Sequence, residues 1–172
     1  IFALPDTGVE IVLAKAADVI TYVEHGVCDM GVVGKDTIME KGGSFYEMVD
    51  LGFGKCRFAL ATKKGKDVYG GYQTPVIATK YPAVTKAFFN RKNMDVETIK
   101  IEGSVELAPL LELADAIVDI VETGTTLKEN GLEVIEDVAP ISARVIVNLA
   151  SAKLKKAAIQ KVIAELESGL EG

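Results

Sequence analysis

Ala114-Asp115-Ala116-Ile117-Val118-Asp119-Ile120-Val121-Glu122-Thr123-Gly124-Thr125-Thr126-Leu127 changes character half-way along. Its first half is rich in Ile and Val without polar alternation, which suits a buried strand of a parallel sheet. Its second half turns to small hydroxylated residues around Gly124. Lys128, Glu129 and Asn130 then lead to Gly131, enough for a short helix that a glycine ends. A strand, a Thr-Gly-Thr-Thr loop and a helix start gather N–H groups and hydroxyls around one point, where the helix dipole also favours negative charge. A phosphate suits that point. Asp119 inside the strand and Glu122 at its exit would repel a bare oxyanion, so the ligand needs hydroxyl donors as well as a phosphate. A phosphorylated ribose has both. Taken alone, the loop also reads as an ordinary strand-to-helix turn, common in α/β proteins.

The remaining composition narrows the class. At 172 residues, 49% of them apolar, the chain can bury one compact core or two small ones. A formal net charge of −6 argues against nonspecific binding to nucleic acid, which relies on a basic face, yet leaves room for anionic ligands held by local groups. No apolar run is long enough for a membrane span and no basic-then-apolar leader opens the sequence, so a cytoplasmic location is expected. Cys28 and Cys56 lack metal-site spacing and read as buried thiols of a reducing compartment.

Outside the loop, strands and helices alternate. Ile1 to Pro5 and Val9 to Ala14 read as strands with no room for a crossover helix between them, which suggests that a segment is missing after Pro5. Asp18 caps a helix that Gly26 stops; Val27 to Val33 is a strand, and Gly34-Lys35-Asp36 opens another helix. Tyr69 to Thr74 is the best linker. Pro82 suits the first turn of a helix, Ser104 caps a short one, and Ser151 caps a final amphipathic helix carrying Leu154, Ala158, Val162, Leu166 and Leu170. This order predicts an α/β fold of two lobes, the second inserted in the first: lobe I over residues 1–72 and 141–172, lobe II over 73–140 with the loop, and ligands at the C-terminal ends of strands.

Four blocks in order, Tyr22 to Asp36, Gly54 to Ala61, Gly103 to Glu106 and Asp115 to Leu127, resemble ATP phosphoribosyltransferase, the first enzyme of histidine biosynthesis, and particularly its short form. The resemblance implies a two-lobed fold like that of type II periplasmic binding proteins, with a ligand cleft between the lobes. It implies that N1 of ATP attacks C1 of phosphoribosyl pyrophosphate (PRPP), releasing pyrophosphate. Glu106, Asp115, Asp119, Glu122, Thr123, Gly124, Thr125, Thr126 and Leu127 would then bind PRPP, and Asp29, Gly34, Lys35, Asp36 and Arg57 would bind ATP. Mg²⁺ would arrive on the substrate phosphates rather than in a protein cage. A homodimer would work with a regulatory subunit resembling histidyl-tRNA synthetase, and part of the site would lie in the segment missing after Pro5. The alternative expectation is a noncatalytic two-lobed protein that closes on a small anion.

Overall fold

A computed structural model of the chain describes residues 1–170. The elements begin with strands β1 (Phe2–Leu4) and β2 (Val9–Ile11), helix α1 (Ala16–Glu24), β3 (Met30–Gly34), α2 (Lys35–Lys41) and β4 (Tyr46–Asp50). They continue through β5 (Cys56–Lys63), β6 (Val76–Thr79), α3 (Pro82–Arg91), β7 (Glu97–Lys100), α4 (Leu107–Leu110), β8 (Ala116–Val121) and α5 (Thr125–Glu129). The chain closes with β9 (Leu132–Ile141), β10 (Ala143–Val147), α6 (Leu149–Leu154) and α7 (Lys156–Leu170). Two compact units result: Ile1–Ile38, Gly42–Leu51 and the chain from Ala143 on form the first, and Met39–Lys41 with Gly52–Ser142 form the second.

In the first unit β10 lies between β3 and β4, antiparallel to both. Alternation along β10 sends Ile146 to the face packed with Ile20, Val23 and Val33, while Val145 and Val147 meet Leu51 and Ile159 on the other. A Cβ at Gly31 would come within 2.6 Å of Val19 and 2.9 Å of Val23, so glycine is what lets α1 lie against β3. The stretch around Pro5 is an antiparallel hairpin, with Leu4 opposite Val9 and Asp6 and Gly8 at φ 62° and 69° in the turn. Antiparallel strands need no crossover, so this turn joins them directly.

Helix ends differ from expectation in an instructive way. Lys15 holds the cap position of α1, and Asp18 sits in its first turn. Asn148, not Ser151, caps α6, its Oδ1 accepting from the N–H groups of Ala150 and Ser151 at 3.0 Å each. The Asn148 amide also donates to the Val23 carbonyl at 2.8 Å, so one buried side chain ties the start of α6 to the end of α1. Leu154, placed by periodicity on the apolar face, is 84% exposed because the helix breaks at Lys155 before α7.

The second unit is built on a mixed five-stranded sheet in the order β7-β6-β8-β5-β9. β6 runs parallel to β7 and β8, whereas β5 runs antiparallel to β8 and β9. The predicted all-parallel surroundings of β8 therefore hold on one side only; its apolar run reflects burial on both faces. Phe58, Leu60, Ile77 and Val118 share one face with Val84, Phe88 and Phe89 of α3, and Ala59, Ala61, Ala78 and Ile117 share the other with Val105, Ala108 and Leu127. Because β5 is the central antiparallel strand of this sheet, the division falls at Leu51/Gly52 rather than near Tyr72. The expected linker is tied down within the unit: Asp67 accepts from the N–H groups of Tyr69 and Gly70, and the Tyr69 hydroxyl donates to Glu136 at 2.6 Å. Pro82 does begin α3, but its free N–H groups are satisfied from a distance, Ala83 and Val84 donating to Glu40 at 3.2 and 3.0 Å.

Asn148→Ala removes a cap and a buried tie together. It is expected to lower stability by about 2 kcal/mol, read as a fall in the urea midpoint at unchanged slope.

Candidate active site

The C-terminal end of β8 opens onto a cavity of about 640 Å³ lined by Gly54, Lys55, Cys56, Glu106 and residues 119–127. Gly124 stands there at φ 79°, ψ 5°, a left-handed conformation that a side chain rarely adopts. It turns the strand into a tight loop. The Thr123 and Thr125 hydroxyls lie 3.0 Å apart, and the Lys128 N–H returns to the Gly124 carbonyl at 3.1 Å. Leu127 points into the core at 6% exposure, so it anchors the loop and offers a ligand only its backbone. Since α5 is five residues long, what the loop offers an anion is its local N–H groups and hydroxyls, not a helix dipole of any length.

Carboxylates frame the loop. Asp119 pairs across the sheet with Ala59 and projects on that strand's face. Burial pushes its carboxyl above the usual aspartate range; Glu106 adds repulsion, while the Ile120 N–H at 2.8 Å and the Lys80 charge work against the rise. Glu106 occupies the position before α4, and Glu122 follows the last residue of β8. Lys55 is the one cation among the residues lining the cavity. It lies in the Gly54–Ala61 block but has no role among the residues that the resemblance implies for either ligand. Gly52 and Gly54, at φ 70° and 61°, were the available signal, because they bend the chain between β4 and β5 so that Lys55 stands at the opening.

Asp115 does not belong with these groups. It precedes β8 at the opposite end from the loop, roughly 26 Å from Thr123 at the usual rise per strand residue. There it accepts from Lys66 at 2.7 Å and from the Val76 N–H at 2.8 Å, and these bonds hold its carboxyl below the usual range. In the first unit Gly34, Lys35 and Asp36 meet at the junction of β3 and α2, where the Asp36 carboxylate folds back over Gly34 so closely that a Cβ there would make it turn away. Lys35 is engaged with Glu47 at 2.6 Å, which also receives Arg144 at 3.0 Å. Asp29 lies at the other end of β3, roughly 16 Å away along the strand. It accepts from the Ser151 hydroxyl at 2.6 Å and from Lys155 at 2.9 Å, bonds that hold its carboxyl low. Arg57 belongs to the second unit, with its guanidinium on Asp137 and on the Glu122 carbonyl.

The profile of the HisG family, described as ATP phosphoribosyltransferase, matches residues 15–168. The chain belongs to the ATP phosphoribosyltransferase family. The ATP phosphoribosyltransferase of Clostridium kluyveri is 58% identical over 167 residues, covering 97% of this chain and 76% of that one. That of Clostridium novyi is 61% identical over 155 residues, covering 90% and 73%. Among solved structures, the ATP phosphoribosyl transferase (HisG:HisZ) complex from Thermotoga maritima matches with a TM-score of 0.83 at 38% identity, over 92% of this chain and 78% of that one. A substrate-binding protein of an amino acid ABC transporter matches with a TM-score of 0.56 at 16% identity, over 93% and 74%, and that likeness concerns fold alone. It agrees with a two-unit fold of the periplasmic-binding-protein kind.

The chain is thus a phosphoribosyltransferase of histidine biosynthesis, joining N1 of ATP to C1 of PRPP with release of pyrophosphate. The family membership favours this transferase reading over the noncatalytic anion-binding one. Neither Cys28 nor Cys56 is in a disulfide, and no helix among the described residues is long and apolar enough to cross a membrane.

The buried Asp119 makes a pH prediction. Because its folded pKa is raised, the folded state holds that proton more tightly; the resulting stability is full below the unfolded pKa and is lost as pH rises through the folded one. Asp119→Asn should therefore raise the thermal midpoint of ligand-free protein at pH 8, with the gain shrinking to nothing once the pH falls below the ordinary aspartate value. A gain independent of pH would show that burial of the charge is not its source.

Proposed function

We propose that this chain acts as the short-form catalytic subunit, with PRPP in the β8 cavity. The observation that carries the reading is the convergence of the Thr123, Thr125 and Thr126 hydroxyls and loop N–H groups with Asp119, Glu122 and Glu106 in one cavity. The 5′-phosphate takes the Thr123–Leu127 loop, while Asp119 and Glu122 accept from the ribose hydroxyls and fix the sugar's orientation. Lys55 faces the pyrophosphate, where a cation offsets charge as the leaving group departs. Asp115 is left out of the ligand set, since Lys66 and Val76 hold it at the far end of the strand.

ATP is assigned to the first unit through the Gly34-Lys35-Asp36 turn, on the strength of the family block that contains it. Adenine N1 is neutral and weakly nucleophilic, so the protein's contribution is alignment with C1 and stabilisation of developing charge rather than a covalent intermediate. Bound Mg²⁺ would further neutralise the pyrophosphate. The donor set fits that: Glu106, Asp119 and Glu122 bring carboxylate oxygens to the cavity, the hard donors that a substrate-borne Mg²⁺ favours. The Thermotoga maritima relative was solved as a HisG:HisZ complex. By extension, a dimer of this chain works with a regulatory subunit resembling histidyl-tRNA synthetase, in the cytoplasm.

Thr125→Ala combined with Thr126→Ala tests the loop. Each lost hydrogen bond to a charged phosphate is worth about 1.5–3 kcal/mol, so the double variant should weaken PRPP at least tenfold while ATP affinity stays within about twofold. Calorimetry with each ligand, and formation of phosphoribosyl-ATP with and without the partner subunit, give the comparison; equal losses for both ligands would contradict the assignment.

A further inference from the structure

Resting on the reading that Thr123–Leu127 holds the PRPP phosphate, we infer that Arg57 is a positioning residue of that loop, held in place by Asp137, rather than a ligand of ATP. The argument begins with strand alternation. On the middle strand of the antiparallel trio, Arg57 and Ala59 face the same way, toward the side of the sheet that carries Asp119. Arg57 lies opposite Val121 on β8 and Pro140 on β9. Its guanidinium reaches both neighbours: Nε donates to Asp137 at 2.6 Å, and a terminal nitrogen donates to the Glu122 carbonyl at 3.2 Å.

Asp137 is in reach only because β9 is irregular. Pro140 is the partner of Arg57 and Asp137 is the partner of Ala59, so residues three apart on β9 face the same side. In a regular strand residues an odd number apart face opposite sides. The register shift between Phe58 and Ala59 inserts one extra residue on β9 and turns Asp137 to the face of Arg57. A bulge that re-aims a side chain is a common device beside functional sites.

What the fork holds is the last fixed point before the loop. Glu122 follows the final residue of β8, and its carbonyl precedes Thr123 and the left-handed Gly124. Its peptide plane sets the direction in which the Thr123 N–H and hydroxyl start. The β5–β8 register ends with Arg57 opposite Val121, one residue short of Glu122. The guanidinium carries the cross-strand contact one position further, to the Glu122 carbonyl. A planar fork donates to a carboxylate on one side and a carbonyl on the other in fixed directions; a lysine keeps the charge and three donors but does not fix that geometry.

The test compares Arg57→Lys and Asp137→Asn in the full enzyme with its partner subunit, measuring the Michaelis constants for PRPP and ATP separately, together with thermal midpoints. If Arg57 positions the loop, both variants raise the constant for PRPP by roughly tenfold, leave that for ATP within about twofold, and are not additive when combined, as expected of one network. Asp137→Asn keeps a folded, charged Arg57, so it stays informative even if replacing the arginine weakens the protein generally. A loss confined to ATP, a full rescue of PRPP binding by lysine, or strict additivity would overturn the proposal. The Thr125→Ala, Thr126→Ala variant separates the two failures: if PRPP ignores that change, the loop reading is at fault, and if PRPP responds to it but not to Asp137→Asn, the fork is.

Discussion

Strand β8 must satisfy two neighbours of opposite sense, and the location of the site follows from that constraint. Against β6 it runs parallel, so both strands finish at the same end of the sheet, bringing Lys80 near Asp119. Against β5 it runs antiparallel, so the end where β8 finishes is the end where β5 begins. Gly54, Lys55 and Cys56 therefore stand beside the exit of β8 and line the cavity with it. A parallel β5 would have delivered its entry to the other end, beside Asp115.

Burial of Ile117, Val118 and Val121 holds this arrangement, each side chain contributing roughly 1.5–3 kcal/mol on removal from water. The same burial works against Asp119, which pays for its place between apolar neighbours with a raised pKa. A strand otherwise so consistent does not carry such a carboxylate for folding. Positions where a local rule is broken at a cost are where function is to be sought, and here the cost falls on a group aimed into the cavity. A ligand that brings hydroxyl donors or a cation relieves it.

Several of these features were legible in the sequence because they depend on neighbours along the chain. The Ile- and Val-rich run of β8, the turn at Gly124, and the proline that opens α3 are local signals, and the structure has them where they were read. What escaped depends on residues far apart in sequence. Asn148 caps α6 yet also secures α1, Glu40 satisfies the start of α3, and Asp29 is held by Ser151 and Lys155. The family resemblance implied Asp115 beside Asp119 in the ligand set, but four residues of strand carry Asp115 away from the cavity to Lys66. Arg57 stands in the sequence as a cation in an otherwise apolar strand, but its partner lies 80 positions on and depends on the bulge.

The insertion of the second unit also bears on how the first can form. β10, the central strand of the first sheet, follows residues 52–142, so its pairing with β4 requires the ends of that long excursion to meet. Closing a flexible loop of such length costs entropy that grows with the logarithm of the number of residues. The β5–β9 ladder removes most of that cost, because it runs down to Cys56 opposite Ile141 and leaves only short connections to Leu51 and Ala143. Those two residues then bond at 2.9 Å, Leu51 N–H to Ala143 carbonyl, as the first rung beyond the excursion. The Thr123–Leu127 loop belongs to the unit whose own strands close locally, whereas the first sheet waits for β10. Assembly thus favours a second unit formed before the first sheet is complete, with the β8 cavity shaped by contacts that do not need β10 at all.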